Sequence, residues 1–176
     1  MGKMSVNLCG IELDNPVIPA SGTFGYGYEF AELYDINCLG SFSFKGTTKD
    51  ARFGNPTPRI AETYGGMLNA IGLQNPGVEV FVERDLEFLK QFDTKVIVNV
   101  CGKTTEDYIA VVERLSNEPI DMMEINISCP NVKEGGVAFG TTCEGAAGIV
   151  REPRSSRVSC VPAGTSVLKT TTSIVP

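Results

Sequence analysis

Short runs of apolar, often β-branched residues alternate along the chain with stretches in which apolar side chains recur every three or four positions. The first pattern reads as strands and the second as helices with one buried face. Val6-Asn7-Leu8 and Ile11-Glu12-Leu13 flank Cys9-Gly10 and predict a short β-hairpin. Pro16-Val17-Ile18-Pro19-Ala20 follows as a short apolar strand, then the glycine-rich turn Ser21-Gly22-Thr23-Phe24-Gly25. Phe30, Leu33 and Tyr34 predict a helix over residues 28–34, and residues 38–45 read as a buried strand ending on Lys45. Residues 50–76 hold several glycines and prolines with little periodicity, which predicts a long ordered loop. Loops of that length in compact domains are usually functional.

Val78, Phe81, Val82 and Leu89 share one helical face, and Val96-Ile97-Val98-Asn99-Val100 is the next strand. Thr104-Thr105-Glu106-Asp107 has the form of a helix start, with Tyr108, Val111, Val112 and Leu115 as the apolar stripe behind it. Residues 120–127 read as a further strand. Strands alternating with helices in this way predict parallel βα units with right-handed connections. In a βα barrel the loops after the strands meet on one face, which carries the active site. Polar residues stand at just those places here: Ser21, Lys45, Asn99 and the run 126–129. A complete barrel has eight strands and about 250 residues. The expected fold is therefore α/β, the N-terminal half of a (β/α)8 TIM barrel preceded by a short β-hairpin.

The pattern changes near residue 151. Residues 142–151 predict a helix that Pro153 interrupts, and Ser and Thr dominate afterwards, with no Asp or Glu beyond Glu152. A fifth strand could fall in residues 158–161 or 165–168, neither followed by a helix. The division expected is thus 1–151 as the barrel half and 152–176 as an aberrant Ser/Thr-rich tail outside the fold; a genuine terminal extension is the other reading.

Composition narrows the function classes. The chain of 176 residues is 42% hydrophobic, enough for a sizeable core, and its net charge of −6 comes with no basic cluster, which speaks against nucleic acid. Neither a signal peptide nor a membrane span is expected, so the cytoplasm is the expected compartment. The six cysteines form no CxxC pair and are read as thiols, with no metal site expected. Asn126-Ile127-Ser128 matches a glycosylation pattern that matters only in secreted proteins. With no histidine in the chain, acid-base work falls to Cys, Lys, Asp, Glu or Tyr.

Within Asn126-Ile127-Ser128-Cys129-Pro130-Asn131, Cys129 stands just past a strand end and ahead of Gly135-Gly136. It is a base or nucleophile, or else a small buried thiol at a turn. The Asn126 amide offers two donors and an acceptor to a planar heterocycle. Lys45 closes an apolar strand and needs an anion, either a ligand or an internal carboxylate. Asn69-Ala70-Ile71-Gly72-Leu73-Gln74-Asn75-Pro76-Gly77 gathers three carboxamides in one loop, suited to a pyrimidine-like ring edge or to a turn network. Asn99 bonds a flavin edge or caps its strand.

Taken together, Ala20-Ser21-Gly22-Thr23, Lys45-Gly46-Thr47-Thr48, residues 69–77, Asn99 and residues 126–131 resemble the class 1 dihydroorotate dehydrogenases, in particular the NAD-linked subgroup. The resemblance covers roughly residues 4–151. It implies FMN over the strand ends and oxidation of dihydroorotate to orotate in pyrimidine biosynthesis. It gives Cys129 the role of the base that takes the C5 proton while the C6 hydride leaves for the flavin. Lys45 would touch both orotate and flavin. Asn69, Ala70, Ile71, Gly72, Leu73 and Asn126 would hold the substrate, and Ser21, Lys45, Gly46, Asn99 and Asn126 the FMN. The resemblance also implies homodimerisation and an iron-sulfur, FAD-containing partner subunit that passes electrons to NAD. Tyr64 stands where the family pattern has proline. The later family motifs, a second flavin lysine and the glycine-rich phosphate loops, have no counterpart after residue 151. Two other readings follow: an inactive piece that binds no flavin, or a related flavin barrel reducing pyrimidine bases.

Overall fold

The computed structural model describes residues 4–127, 137–155 and 166–170. A two-stranded antiparallel hairpin comes first, β1 (Val6–Leu8) and β2 (Ile11–Leu13), with Val6 opposite Leu13. Cys9 at its turn has φ 52° and Gly10 φ 91°, the left-handed pair that a two-residue turn demands. A four-stranded parallel sheet then forms in the order β3 (Ser41–Ser43), β6 (Lys95–Val100), β7 (Met122–Asn126), β8 (Ser166–Thr170). Between β3 and β6 lie the hairpin β4 (Ile60–Thr63) and β5 (Gly66–Asn69) and a continuous helical stretch. That stretch runs as α2 (Val78–Val80), a π-helical section Phe81–Leu86 and α3 (Glu87–Leu89). Helix α4 (Thr105–Leu115) joins β6 to β7, and α5 (Val137–Gly140) and α6 (Cys143–Ser155) come before β8.

Alternation along the strands divides the molecule. Phe42, Phe44, Val96, Val98, Val100, Met123, Ile125 and Ile127 face the helices and make the main core with Phe81, Leu86, Tyr108, Val111 and Leu115. The residues that alternate with these along each strand point to the opposite face. There Ile97 and Met122 pack under Ile11 and Leu13 of the hairpin, which closes the lower end of that face. Further up, the same face changes from apolar to polar: Ser43, Asn99, Glu124 and Asn126.

Several expected elements differ from those formed. Residues 16–20 make no ladder: Pro16 and Pro19 lack N–H donors and the Val17 N–H is taken by Asn15 Oδ1 at 3.0 Å, so toward the sheet the segment only accepts, with the Val17 and Pro19 carbonyls taking bonds from Gly40 and Ser43 at 3.2 Å each. The helix expected over 28–34 stops early as α1 (Tyr28–Ala31). Asp35 then accepts the Asn37 N–H at 3.0 Å and starts a 3-10 turn, Ile36–Cys38, which takes Cys38 out of the expected strand. Residues 50–76 are not wholly loop, since β4 and β5 pair across Tyr64-Gly65. The last helix passes through Pro153, with only two residues after it, so the expected boundary at 151/152 falls inside α6. The strand considered at 165–168 overlaps β8, which pairs in parallel with β7 from Met122↔Ser166 to Asn126↔Thr170.

Candidate active site at the strand ends

The end of β3 carries an irregularity that aims two of the expected site residues. Ser43 pairs with Ile97 and Thr47 with Val100, so β3 spends one more residue than β6 over the same length. That surplus is a bulge at Lys45-Gly46, a device that re-aims side chains beside active sites. The Lys45 N–H turns away from β6 to the Gly25 carbonyl at 3.2 Å, and the ladder resumes with Thr47 donating to the Asn99 carbonyl at 2.7 Å. The Lys45 ammonium lies against the Ser21-Gly22 turn: a Cβ built on Gly22 would stand 3.5 Å from Nζ. Among the described residues Lys45 has no ion pair.

Gly46 is packed too closely for any side chain. A Cβ there would lie 2.6 Å from Cys101 Sγ, 2.8 Å from Leu73 Cδ1 and 3.0 Å from Asn99 Oδ1. The bulge, the end of β6 and the 70–77 loop therefore meet at one point. Leu73 reaches it with φ 55°, a left-handed conformation rare for a large side chain and typical of functional loops. The loop is tied to the sheet by Asn75, which is 5% exposed. Its Oδ1 accepts from the Thr48 N–H at 3.1 Å and the Gly77 N–H at 3.0 Å, while Nδ2 donates to the Leu73 carbonyl at 3.0 Å.

A polar chain crosses the upper sheet. Asn126 Nδ2 donates to Asn99 Oδ1 at 3.1 Å, Asn99 Nδ2 donates to Glu124 Oε2 at 2.7 Å, and Ser43 Oγ donates to the same Oε2 at 2.5 Å. Cys101 Sγ is 3.3 Å from Asn99 Oδ1. Asn99 is 1% exposed and Ser43 5%, while Glu124 and Asn126 are half-buried, so the chain runs from the buried sheet toward its surface. Tyr108 of α4 donates to the Asn126 carbonyl at 2.6 Å, fixing the strand end from the helix side.

Of the residues expected at the site, Lys45, Gly46, Leu73, Asn99 and Asn126 are brought together here, with Ser21 at the turn beside Lys45. Gly72 lies in the same loop and packs against Asn55 instead, where a Cβ would stand 2.7 Å from the Asn55 N–H nitrogen. Asn69 and Ala70 are exposed on the hairpin side, and Ile71 is half-buried with its carbonyl bonded to the Asn55 N–H at 3.1 Å. The three carboxamides of this loop do not act together: Asn75 is used internally and Gln74 receives Arg59. Cys129 lies outside the described residues. Glu124, Ser43 and Cys101 were not anticipated, and Asn75 takes the turn-network role that was one of the two readings of its loop. For Glu124 a signal was available: a lone carboxylate inside Met122-Met123-Glu124-Ile125-Asn126, two positions before Asn126 and hence on its face.

A neighbouring cleft of about 520 Å³ is lined by Thr48, Lys49, Arg52, Phe53, Gly72 and Lys103 among others; it opens beside the polar chain rather than over it. No helix among the described residues is long and apolar enough to cross a membrane, and no group of His, Cys, Asp or Glu there could hold a metal ion.

Parallel strands flanked by helices, with polar side chains gathered at their carboxyl ends, are the arrangement of a βα-barrel enzyme. The sequence profile of the family described as dihydroorotate dehydrogenase matches residues 3–161, and the chain belongs to that family. The catalytic subunit of dihydroorotate dehydrogenase B (NAD(+)) from Lachnoclostridium phytofermentans is 65% identical over 136 residues, 77% of this chain and 45% of that protein. The same subunit from Bacillus cytotoxicus is 52% identical over 176 residues, 99% of this chain and 56% of that protein. The chain thus spans about half the length of the curated relatives it matches. A crystal structure of DHODH from Eimeria tenella in complex with ferulenol has a TM-score of 0.67 at 23% identity, covering 86% of this chain and 43% of that one, and shares the fold.

Proposed function

We propose that the chain is the N-terminal half of a (β/α)8 barrel belonging to the catalytic subunit of an NAD-linked dihydroorotate dehydrogenase, oxidising dihydroorotate to orotate in pyrimidine biosynthesis. One observation carries the reading: Gly46 of the Lys45 bulge packs on Asn99, and the Asn99 and Asn126 carboxamides are bonded to each other at neighbouring strand ends. The family is flavin-dependent, and the residues present suit FMN. A buried carboxamide (Asn99), a half-buried one (Asn126) and an ammonium with no ion pair among the described residues match a flat heterocycle rich in carbonyls and ring nitrogens. Bound flavin supplies the hydride acceptor.

In this reading Ser21, Lys45, Gly46, Asn99 and Asn126 hold the cofactor. Lys45 also neutralises the substrate carboxylate, and Asn69, Ala70, Ile71, Gly72, Leu73 and Asn126 orient the pyrimidine ring. Cys129 takes the C5 proton as its thiolate. A partner subunit carrying an iron-sulfur centre and FAD would pass electrons to NAD, with a second copy of the catalytic subunit in the assembly and the cytoplasm as the compartment. Residues 152–155 continue α6 and 166–170 add a strand, and we read the rest of 152–176 as a tail.

The test is an FMN titration of the purified 176-residue chain, followed by dihydroorotate without oxygen. Stoichiometric binding and bleaching of the flavin absorbance near 450 nm, roughly, is the expected result for a chain whose half-site is sufficient. Binding without bleaching would place turnover in the later strands of the barrel. No binding would make this chain an inactive piece of the enzyme, and bleaching of flavin reversed by uracil rather than orotate would favour the pyrimidine-reducing relatives.

A further inference from the structure

The polar chain across β3, β6 and β7 has a direction, and Glu124 is the only member whose chemistry sets one. An ionised carboxylate accepts hydrogen bonds and never donates. Both of its neighbours converge on a single oxygen, Oε2, with Ser43 Oγ at 2.5 Å and Asn99 Nδ2 at 2.7 Å. Two donors on one oxygen require an acceptor there. Asn99 must then present Nδ2 to Glu124 and turn Oδ1 the other way, where it accepts from Asn126 Nδ2 at 3.1 Å and faces Cys101 Sγ at 3.3 Å. The direction of the Asn126 amide follows in turn. Without the carboxylate, each carboxamide could rotate by half a turn and still find partners, because its two ends differ little in shape.

We propose that Glu124 is a positioning residue that sets which end of the Asn99 and Asn126 carboxamides faces the ligand. This rests on the reading of those two residues as flavin- and substrate-facing. The register supports it: Asn99 and Glu124 are direct Cα partners across β6 and β7, so the bond is held by the sheet and not by a loop. Its surroundings support it too: Glu124 is half-buried, and its two partners Ser43 and Asn99 are buried, so their polar groups need the carboxylate as a built-in acceptor. Such a group holds the amides at the cost of stability that an apolar residue would have supplied.

Two variants of the full chain test it. Glu124→Gln keeps size and hydrogen bonding but admits either direction of the chain, whereas Glu124→Leu removes the acceptor. The primary readout needs no ligand: the side-chain amide signals of Asn99 and Asn126 in nitrogen-15 spectra, assigned from single Asn→Asp variants. The parent chain is expected to give one protected set for each. Glu124→Gln is expected to melt with the parent yet show doubled or broadened sets, and roughly tenfold weaker FMN binding. Glu124→Leu is expected to lose amide protection; if it fails to fold, the isosteric Glu124→Gln decides alone. Unchanged Asn126 amide signals in Glu124→Gln would overturn the proposal, as would doubled signals with FMN affinity intact. A parent chain that binds no FMN counts against the flavin reading, and the amide signals then decide the role of Glu124.

Discussion

Tyr26 shows how one hydroxyl can cost the fold. Its ring packs between Phe44 and Phe81, and its Oη is buried with no hydrogen-bond partner; the Thr47 hydroxyl is near enough to influence it but closes no bond. Burial, and secondarily the Asp85 carboxylate, push the Tyr26 phenol well above its ordinary value of 10.0. The folded chain therefore holds this proton more tightly than the unfolded chain does. Stability from this source is complete below the ordinary tyrosine pKa and falls as pH rises beyond it. Tyr26→Phe keeps the ring contacts and removes both the orphan oxygen and the proton. It is expected to stabilise the chain by about 1 kcal/mol at neutral pH and to make the loss of stability above about pH 10 shallower. Urea midpoints for both proteins at about pH 7 and 10.5 check this. A residual alkaline loss will persist, because burial and a 2.8 Å bond to Asp85 also raise Tyr28. Neither the orphan oxygen nor the fully buried Asp85 beside it was legible in the sequence, because both depend on what the π-helical turn at Phe81–Leu86 brings against residues 26–28.

Among the elements, α4 is the one whose ends the sequence states most fully. Thr104 Oγ1 accepts the Asp107 N–H at 3.3 Å, and Asp107 Oδ2 returns a bond to the Thr104 N–H at 3.3 Å and to the Lys103 N–H at 3.0 Å. Removing one side of such a box typically costs about 1 kcal/mol, so Thr104→Ala is expected to lower the urea midpoint while Thr104→Ser leaves it nearly in place. Glu106 reports on the same end: its own backbone N–H and then the Thr104 hydroxyl hold its carboxyl below the usual value. In Thr104→Ala that carboxyl should titrate higher, measurable by NMR. The Thr-Thr-Glu-Asp start and the stripe Tyr108, Val111, Val112, Leu115 made this helix legible, since all four stripe residues are buried. The β4–β5 hairpin was not, because every residue in both strands is exposed and no alternation of apolar and polar positions can arise. Pro16 and Pro19 misled in the opposite sense: an apolar run promised a strand, but the two prolines have no N–H and the Val17 N–H is taken by Asn15.

At the scale of the whole molecule, parallel βα order was legible because β3, β6 and β7 are apolar on their helix side and the helices after β3 and β6 carry one buried stripe each. The polar upper face was legible only in part. Asn99 and Asn126 announced themselves at strand ends and Glu124 could be placed on the face of Asn126, whereas Ser43 and the bonds among these residues acquire meaning only through the register that sets them side by side. The same register leaves an edge. β8 pairs with β7 on one side and with no strand among the described residues on the other, and on the far side β3 and the residue before it donate only two bonds, from the Gly40 and Ser43 N–H groups to the Val17 and Pro19 carbonyls. Unpaired parallel edges invite association with other chains. Because the chain spans about half of its relatives, the strands that would cover these edges also belong to the part of the barrel expected to grip the flavin phosphate. Two properties should therefore change together. Alone, the 176-residue chain is expected to sediment as concentration-dependent assemblies and to bind FMN weakly. Co-expressed with the C-terminal half of a relative such as the Bacillus cytotoxicus subunit, it is expected to form a defined species that retains flavin absorbance through gel filtration. If the added half restored flavin binding without changing the assemblies, edge pairing would not be what drives association. If it abolished assembly without flavin, the strand-end carboxamides and Lys45 would not be the flavin-holding half of the site.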